Sequence, residues 1–166
     1  MHCAKKRNNE NWFGTHVARY QQAIKQQAEV VLLGDSLVAN LSRFPDVWSR
    51  HLSPLNVINC GIRGDRTQNV MWPVEHMQFP ATASVGIIHC GINDISGSSA
   101  SAYGPHDIAK NVILCGSKLQ ERYPLMSIII IGILPAEETF HGALELKSRL
   151  KKYTIAVFVL FHQYWV

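Results

Sequence analysis

With 166 residues, 47% of them hydrophobic and 17% charged, the chain can build one domain around a buried core and has too little material for two. The 16 basic against 12 acidic residues leave a formal charge of +4, and the cluster Lys5, Lys6 and Arg7 is too small to argue for a nucleic-acid partner. Four widely spaced cysteines (Cys3, Cys60, Cys90, Cys115) without a C-x-x-C pair speak against a zinc cluster or redox motif, and no apolar run is long enough to span a bilayer.

In chain order, residues 1–10 read as a solvated basic segment and residues 11–166 as the domain. The opening has no apolar core of a signal sequence, so a cytoplasmic setting is expected. Residues 11–27 read as a polar helix with Trp12, Val17, Tyr20 and Ile24 at helical spacing. The run VVLLG at 30–34 is continuous and apolar, as expected of a strand buried on both faces. SLVANLSRFPDVWSRHL is helical up to a disturbance at Pro45, and NVINCG is a short strand ending in glycine. DRTQNVMWPVEHM forms a helix that Pro73 must end or kink. SVGIIHCG is a third strand, the segment from Pro105 a helix with proline near its start, and MSIIIIGILP a fourth strand. A charged helical piece follows at roughly 143–152, and TIAVFVLF is a candidate fifth strand.

Continuous apolar strands separated by helices predict a parallel sheet with helices on both faces, a three-layer α/β/α sandwich. A flavodoxin-like order 2-1-3-4, extended by a fifth strand if the tail pairs, is expected because the switch between strands one and three would open a crevice there. In such folds ligands bind beyond the C-terminal ends of the strands, where strand order reverses. Ser36 stands at that edge, on the turn from the first strand into a helix. There it is either a nucleophile on a strand-turn-helix elbow or a simple N-cap. Gly64, in NCGIRGDRTQNV, follows the second strand, and Asn93, in CGIND, follows the third. A nucleophilic oxygen converging with the N–H groups of Ser36 and Gly64 and the side-chain amide of Asn93 is what ester hydrolysis through a tetrahedral intermediate requires.

At these residues the sequence resembles the SGNH or GDSL-type hydrolases: GDS matches the family's first block, the glycine of GIRGD its second and GIND its third. The string SPLNVINCGIRGDRTQNVMW runs parallel to the corresponding segment of the catalytic subunits of intracellular platelet-activating-factor acetylhydrolase, and esterase-like domains of animal retroelements are similar. The resemblance implies Ser36 as nucleophile and Gly64 and Asn93 as oxyanion donors. Asp35 would hold the nucleophile turn. It further implies a small acyl ester as substrate, no metal or organic cofactor, and a homodimer.

Two departures stand out. Arg63 occupies a position where relatives carry glycine, and either binds an acidic group of the substrate or points to solvent, the reading favoured on sequence alone. The family's general base, the histidine of a D-x-x-H motif, has no counterpart in the 166 residues. The resemblance therefore implies a C-terminally truncated or frame-altered copy. His141, past the fourth strand, and His162, after the candidate fifth, are the substitutes to weigh. His89, within the third strand, reads as a hydrogen-bonded core residue. Two functions follow: an impaired serine esterase, or an inactive SGNH-like domain kept for binding or left as a remnant.

Overall fold

The computed structural model describes residues 6–95, 104–133 and 159–161 of the chain. Its order is α1 (Glu10–Gln26), β1 (Val30–Gly34), α2 (Ser36–Asn40), a turn at Leu41–Arg43, α3 (Pro45–Val47), helical turns at Trp48–Leu52 and Ser53–Leu55, β2 (Val57–Asn59), α4 (Thr67–His76), β3 (Val85–His89), α5 (Ile92–Ile95), α6 (Pro105–Arg122), β4 (Ser127–Ile130) and β5 (Val159–Phe161). The sheet runs β2-β1-β3-β4-β5. The first four strands are parallel, with Leu32 beside Asn59 on one side and Leu33 beside Ile88 on the other.

Strand alternation distributes the core between two layers. Val31, Leu33, Ile58, Ile88, Ile128 and Ile130 point to one face, where they pack with Tyr20 and Ala23 of α1, Val70 and Val74 of α4, and Cys115 and Leu119 of α6. The residues between them, Val30, Leu32, Val57 and Ile87, point to the other face and meet Val38, Leu41, Trp48 and Leu52. Burial on both faces is why these strands read as unbroken apolar runs. Burying each of the larger aliphatic side chains contributes on the order of 1.5–3 kcal/mol, which fixes the sheet as the frame on which the loops are hung.

Three expectations are corrected, and that for Pro73 is narrowed. The candidate fifth strand is antiparallel to β4, pairing Ile130 with Val159, so it does not present its C-terminal end at the edge shared by the other four. Helix α1 buries Trp12, His16, Tyr20 and Ala23, whereas Ile24 is exposed; the helix is rotated so that Trp12 and His16 face the loop after β2. Its start is set by Asn9, whose side chain accepts from Asn11 N and Trp12 N, and its end by Gln27 in the left-handed region. Of the two outcomes expected of Pro73, ending the helix is excluded: α4 runs on to His76 and closes with Met77 N–H donating to Pro73 O. Finally, Arg7 is not merely solvated: it bonds to the loop after β2, as described below. The expected helix at 143–152 lies outside the described residues, as do His141 and His162.

Candidate active site

The three sequence-selected positions follow the C-terminal ends of neighbouring strands: Ser36 opens α2 after β1, Gly64 lies in the loop after β2, and Asn93 lies in α5 after β3. Past the paired residues of β1 and β2, the ladder continues: Cys60 N–H donates to Leu32 O at 2.8 Å and Ile62 N–H to Gly34 O at 3.0 Å. Ser36 is two residues beyond Gly34 and Gly64 two beyond Ile62, so the extended ladder carries both loops outward together. Gly34 is beside His89 in the β1–β3 register, and Asn93 follows four residues later. Its Nδ2 donates to Asp65 O at 2.8 Å, tying the segment after β3 to the residue next to Gly64.

The strand ends meet at very short range. A Cβ on Gly34 would stand 2.1 Å from His89 O and 2.6 Å from Val38 Cγ2, so only glycine lets β1 pass into α2 against β3 here. Gly64 has φ of +78°, a left-handed backbone that side chains resist, and this turns the following Asp65 inward. Asp65 N–H closes the turn onto Ile62 O at 3.2 Å.

Ser36 opens α2 and is partly exposed. Ahead of it, Asp35 is fully buried; its Oδ1 accepts from Leu37 N at 2.9 Å, satisfying one donor of the helix start. Burial raises the Asp35 carboxyl from 3.8 to about 6; the Leu37 bond works against the rise, and the charges of Asp65 and Asp94 add to it. Its Oδ2 has no hydrogen-bond partner.

Asp65, which the sequence reading did not single out, organises the second loop. It is buried, accepts from Trp12 Nε1 at 2.7 Å and from Arg7 Nη1 at 3.3 Å, and has His16 Nε2 at 3.6 Å. Arg7 Nη1 also donates to Arg63 O at 2.9 Å, and Arg19 of α1 donates to the carbonyls of Asn59 and Gly61. The N-terminal segment and α1 therefore clamp residues 59–65 at four points. Asp94, also missed, does the corresponding work for the third segment. Its two carboxylate oxygens accept from Thr67 N and Thr67 Oγ1, each at 2.9 Å, which fixes the start of α4 beside Asn93. Burial raises its pKa, with the Thr67 bonds opposing. The one signal that could have found these residues is positional: an aspartate adjoins each of the selected residues, as Asp35, Asp65 and Asp94.

Chemically, the arrangement offers a hydroxyl at a helix start, a backbone N–H in a left-handed glycine loop, and a carboxamide. The Asn93 carboxamide has two N–H bonds; Asp65 O takes one, orienting the group and leaving the other. Arg63 is exposed, and its Nη2 donates to Asn40 Oδ1 at 2.8 Å. Among the described residues no histidine is hydrogen-bonded to Ser36. His16 lies buried between Trp12 and Trp72, His76 stacks on Trp72, and His89 is bonded to the Gly132 backbone, with burial lowering its pKa. Cys60, Cys90 and Cys115 are free and buried, and burial raises all three thiols. Among the described residues no cluster of histidine, cysteine and acidic side chains is arranged to hold a metal ion, and no helix is long and apolar enough to cross a membrane.

No protein-family profile matches the sequence. Among curated proteins, the chain is 30% identical over 125 residues to the platelet-activating factor acetylhydrolase IB subunit alpha1 of Rattus norvegicus, the match covering 75% of this chain and 51% of that protein. Against the IB subunit alpha2 of Homo sapiens it is 24% identical over 131 residues, covering 78% and 54%. The chain thus spans about half the length of the curated relatives it matches. Among solved structures it resembles a GDSL-like lipase from Bacteroides thetaiotaomicron with a TM-score of 0.63 at 21% identity, covering 88% of this chain and 67% of that one. A lipase/acylhydrolase from Enterococcus faecalis follows with a TM-score of 0.56 at 19% identity, covering 76% and 67%. At those identities the structural likeness is one of fold.

Proposed function

We propose that this chain, a relative of the platelet-activating-factor acetylhydrolase IB subunits with the fold of the GDSL/SGNH hydrolases, carries a serine site for hydrolysis of small acyl esters. Ser36 Oγ attacks the ester carbonyl and forms an acyl-enzyme, expelling the alcohol; water then releases the acid. The charge that develops on the carbonyl oxygen is met by the N–H groups of Ser36 and Gly64 and by the free N–H of Asn93 Nδ2. Asp35 and Asp65 are positioning residues: the first holds the turn that carries Ser36, the second the loop that carries Gly64. No metal or organic cofactor enters the scheme.

The observation that carries the reading is the pair of bonds that gathers the loops, Ile62 N to Gly34 O and Asn93 Nδ2 to Asp65 O. What the scheme lacks is an acceptor for the serine proton. The 166 residues contain no D-x-x-H, and His141 and His162 stay as the candidate substitutes. The chain by itself is accordingly proposed to be a slow esterase. A second reading, resting on the resemblance alone, is an inactive SGNH-like domain retained for binding or as a retroelement-type remnant. A cytoplasmic homodimer belongs to the proposal on the strength of the resemblance alone; a clean monomer in sedimentation at micromolar concentration would remove the dimer.

The test is a fluorophosphonate probe followed by peptide mapping. The esterase reading expects a slow adduct on Ser36 that is absent in Ser36→Ala and slower still in Asn93→Ala. No adduct on Ser36 after prolonged exposure would leave the inactive reading standing.

A further inference from the structure

Arg63 adjoins the presumed oxyanion donor Gly64, and its side chain is held in a particular place. Its Nη2 donates to Asn40 Oδ1 at 2.8 Å. Asn40 is the last residue of α2 and Ser36 the first, four positions apart, so the two share one helix face with Cβ atoms about 5–6 Å apart. The guanidinium is therefore parked one helical turn from the serine, on the face of α2 that the serine occupies. Its carbonyl is pinned as well, accepting from Arg7 Nη1 at 2.9 Å.

The two arginines beside Gly64 differ in charge balance. Arg7 lies against the buried carboxylate of Asp65 at 3.3 Å, and its charge is met there. Arg63 has no acidic partner among the described residues and is exposed. A guanidinium carries five N–H donors in a planar fork suited to carboxylate and phosphate. Asn40 engages one nitrogen, and the remaining donors face solvent beside the site.

Resting on the serine-site reading, we propose that Arg63 is a specificity-determining residue that recognises an anionic group, a carboxylate or a phosphate-type oxyanion, carried by the ester substrate. The Asn40 bond pre-orients the fork, and the substrate's charge supplies the acidic partner that the chain does not. A cation acting only on the developing oxyanion would favour neutral and charged esters alike; a cation reading a substituent separates them.

The experiment compares binding of three slowly hydrolysed esters to the isotope-labelled 166-residue chain at low salt, following the Arg63 Nε–H resonance. The esters are methyl butyrate, methyl hemisuccinate and methyl 3-phosphonopropionate. The proposal expects one or both anionic esters to bind about five- to tenfold more tightly than methyl butyrate, with the advantage shrinking as salt screens it. In Arg63→Gln, an exposed substitution checked for unchanged circular dichroism, the advantage falls below about twofold. Which anionic ester gains more tells carboxylate from phosphate-type recognition. Equal binding of all three esters by the wild type, or an advantage that survives in Arg63→Gln, overturns the proposal. Phosphonate labelling of Ser36 is scored separately. Labelled Ser36 without anionic preference sinks the inference alone, and an Arg63-dependent preference without labelling sinks the serine reading while the anion site stands.

Discussion

The two halves of hydrolytic chemistry are unequally furnished in this chain. On the side proposed to stabilise an anion, residues 59–65 are clamped by Arg7, Trp12 and Arg19, and the segment carrying Asn93 is bonded to Asp65 and locked to the start of α4 through Asp94. On the proton-transfer side, no described histidine is bonded to Ser36; His16, His76 and His89 are each engaged in packing or backbone contacts. The difference teaches where each function is written. The proposed oxyanion donors are backbone N–H groups and a short amide set just past strand ends, so a few residues after each of three adjacent strands specify them. A base must be delivered as a side chain from elsewhere in the fold, and its geometry depends on a longer return of the chain.

The sharpest way to break that contrast is to remove the acid at the centre of the clamp. In Asp65→Ala the Trp12 indole N–H loses its acceptor in a buried setting and Arg7 loses its counter-charge. A stability loss of about 3 kcal/mol is expected in urea unfolding, with Asp65→Asn losing less because one acceptor oxygen survives. A loss below about 1 kcal/mol for the alanine would mean the clamp does not hold the loop.

A second effect, on the order of 2 to 3 kcal/mol, is read from pH. Burial lifts the folded-state Asp35 carboxyl from 3.8 to about 6, so the folded chain holds that proton more tightly than the unfolded one. Asp35 therefore lowers stability as pH rises from about 4 to about 6 and adds no further change above. Asp35→Asn, which retains an oxygen for the Leu37 N–H, should lack this decline, so that subtracting its stability profile from that of the wild type leaves a difference that falls over this window. A difference profile that rises with pH over the same window contradicts the assigned burial.

The smallest effect belongs to Arg7. Its side chain is 37% exposed, so the ion pair with Asp65 is partly screened, and Arg7→Ala should cost about 0.5–1 kcal/mol. Hydrogen exchange at Gly64 and Asp65 should quicken more than at β1 or β3, because the bond to Arg63 O is lost with the side chain. Uniform quickening across the sheet would place Arg7 among general stabilisers instead.

The first four strands and the segments that carry Ser36, Gly64 and Asn93 were legible in the sequence. Continuous apolar runs such as VVLLG are legible because burial on both faces removes the polar alternation, and they marked the first four strands; the order 2-1-3-4 came from the crevice expected where strand order reverses. Glycine and small polar residues immediately past those runs marked the loops. The clamp was not legible: Arg7 and Trp12 reach Asp65 across 58 and 53 residues of sequence, and no periodicity encodes such a pairing. The phase of α1 was misjudged for the same reason, since His16 is buried by its place between two tryptophans beside Asp65 and not by its own hydrophobicity. The direction of β5 was equally hidden, because an apolar, β-branched run specifies a strand but not its sense.

The proposal that Ser36, Gly64 and Asn93 form an anion-stabilising serine site, with no described histidine bonded to the serine, is decided by turnover of a short-chain nitrophenyl ester by the 166-residue chain and by Ser36→Ala. Oxyanion donors and binding alone leave a residual acceleration of roughly 10³ to 10⁴ over water, whereas loss of a triad's serine or histidine costs on the order of 10⁶ in turnover. Turnover barely above background is expected, with only a small further loss in Ser36→Ala. Rapid turnover abolished by Ser36→Ala would contradict it, and a matching loss in His141→Ala or His162→Ala would identify the base.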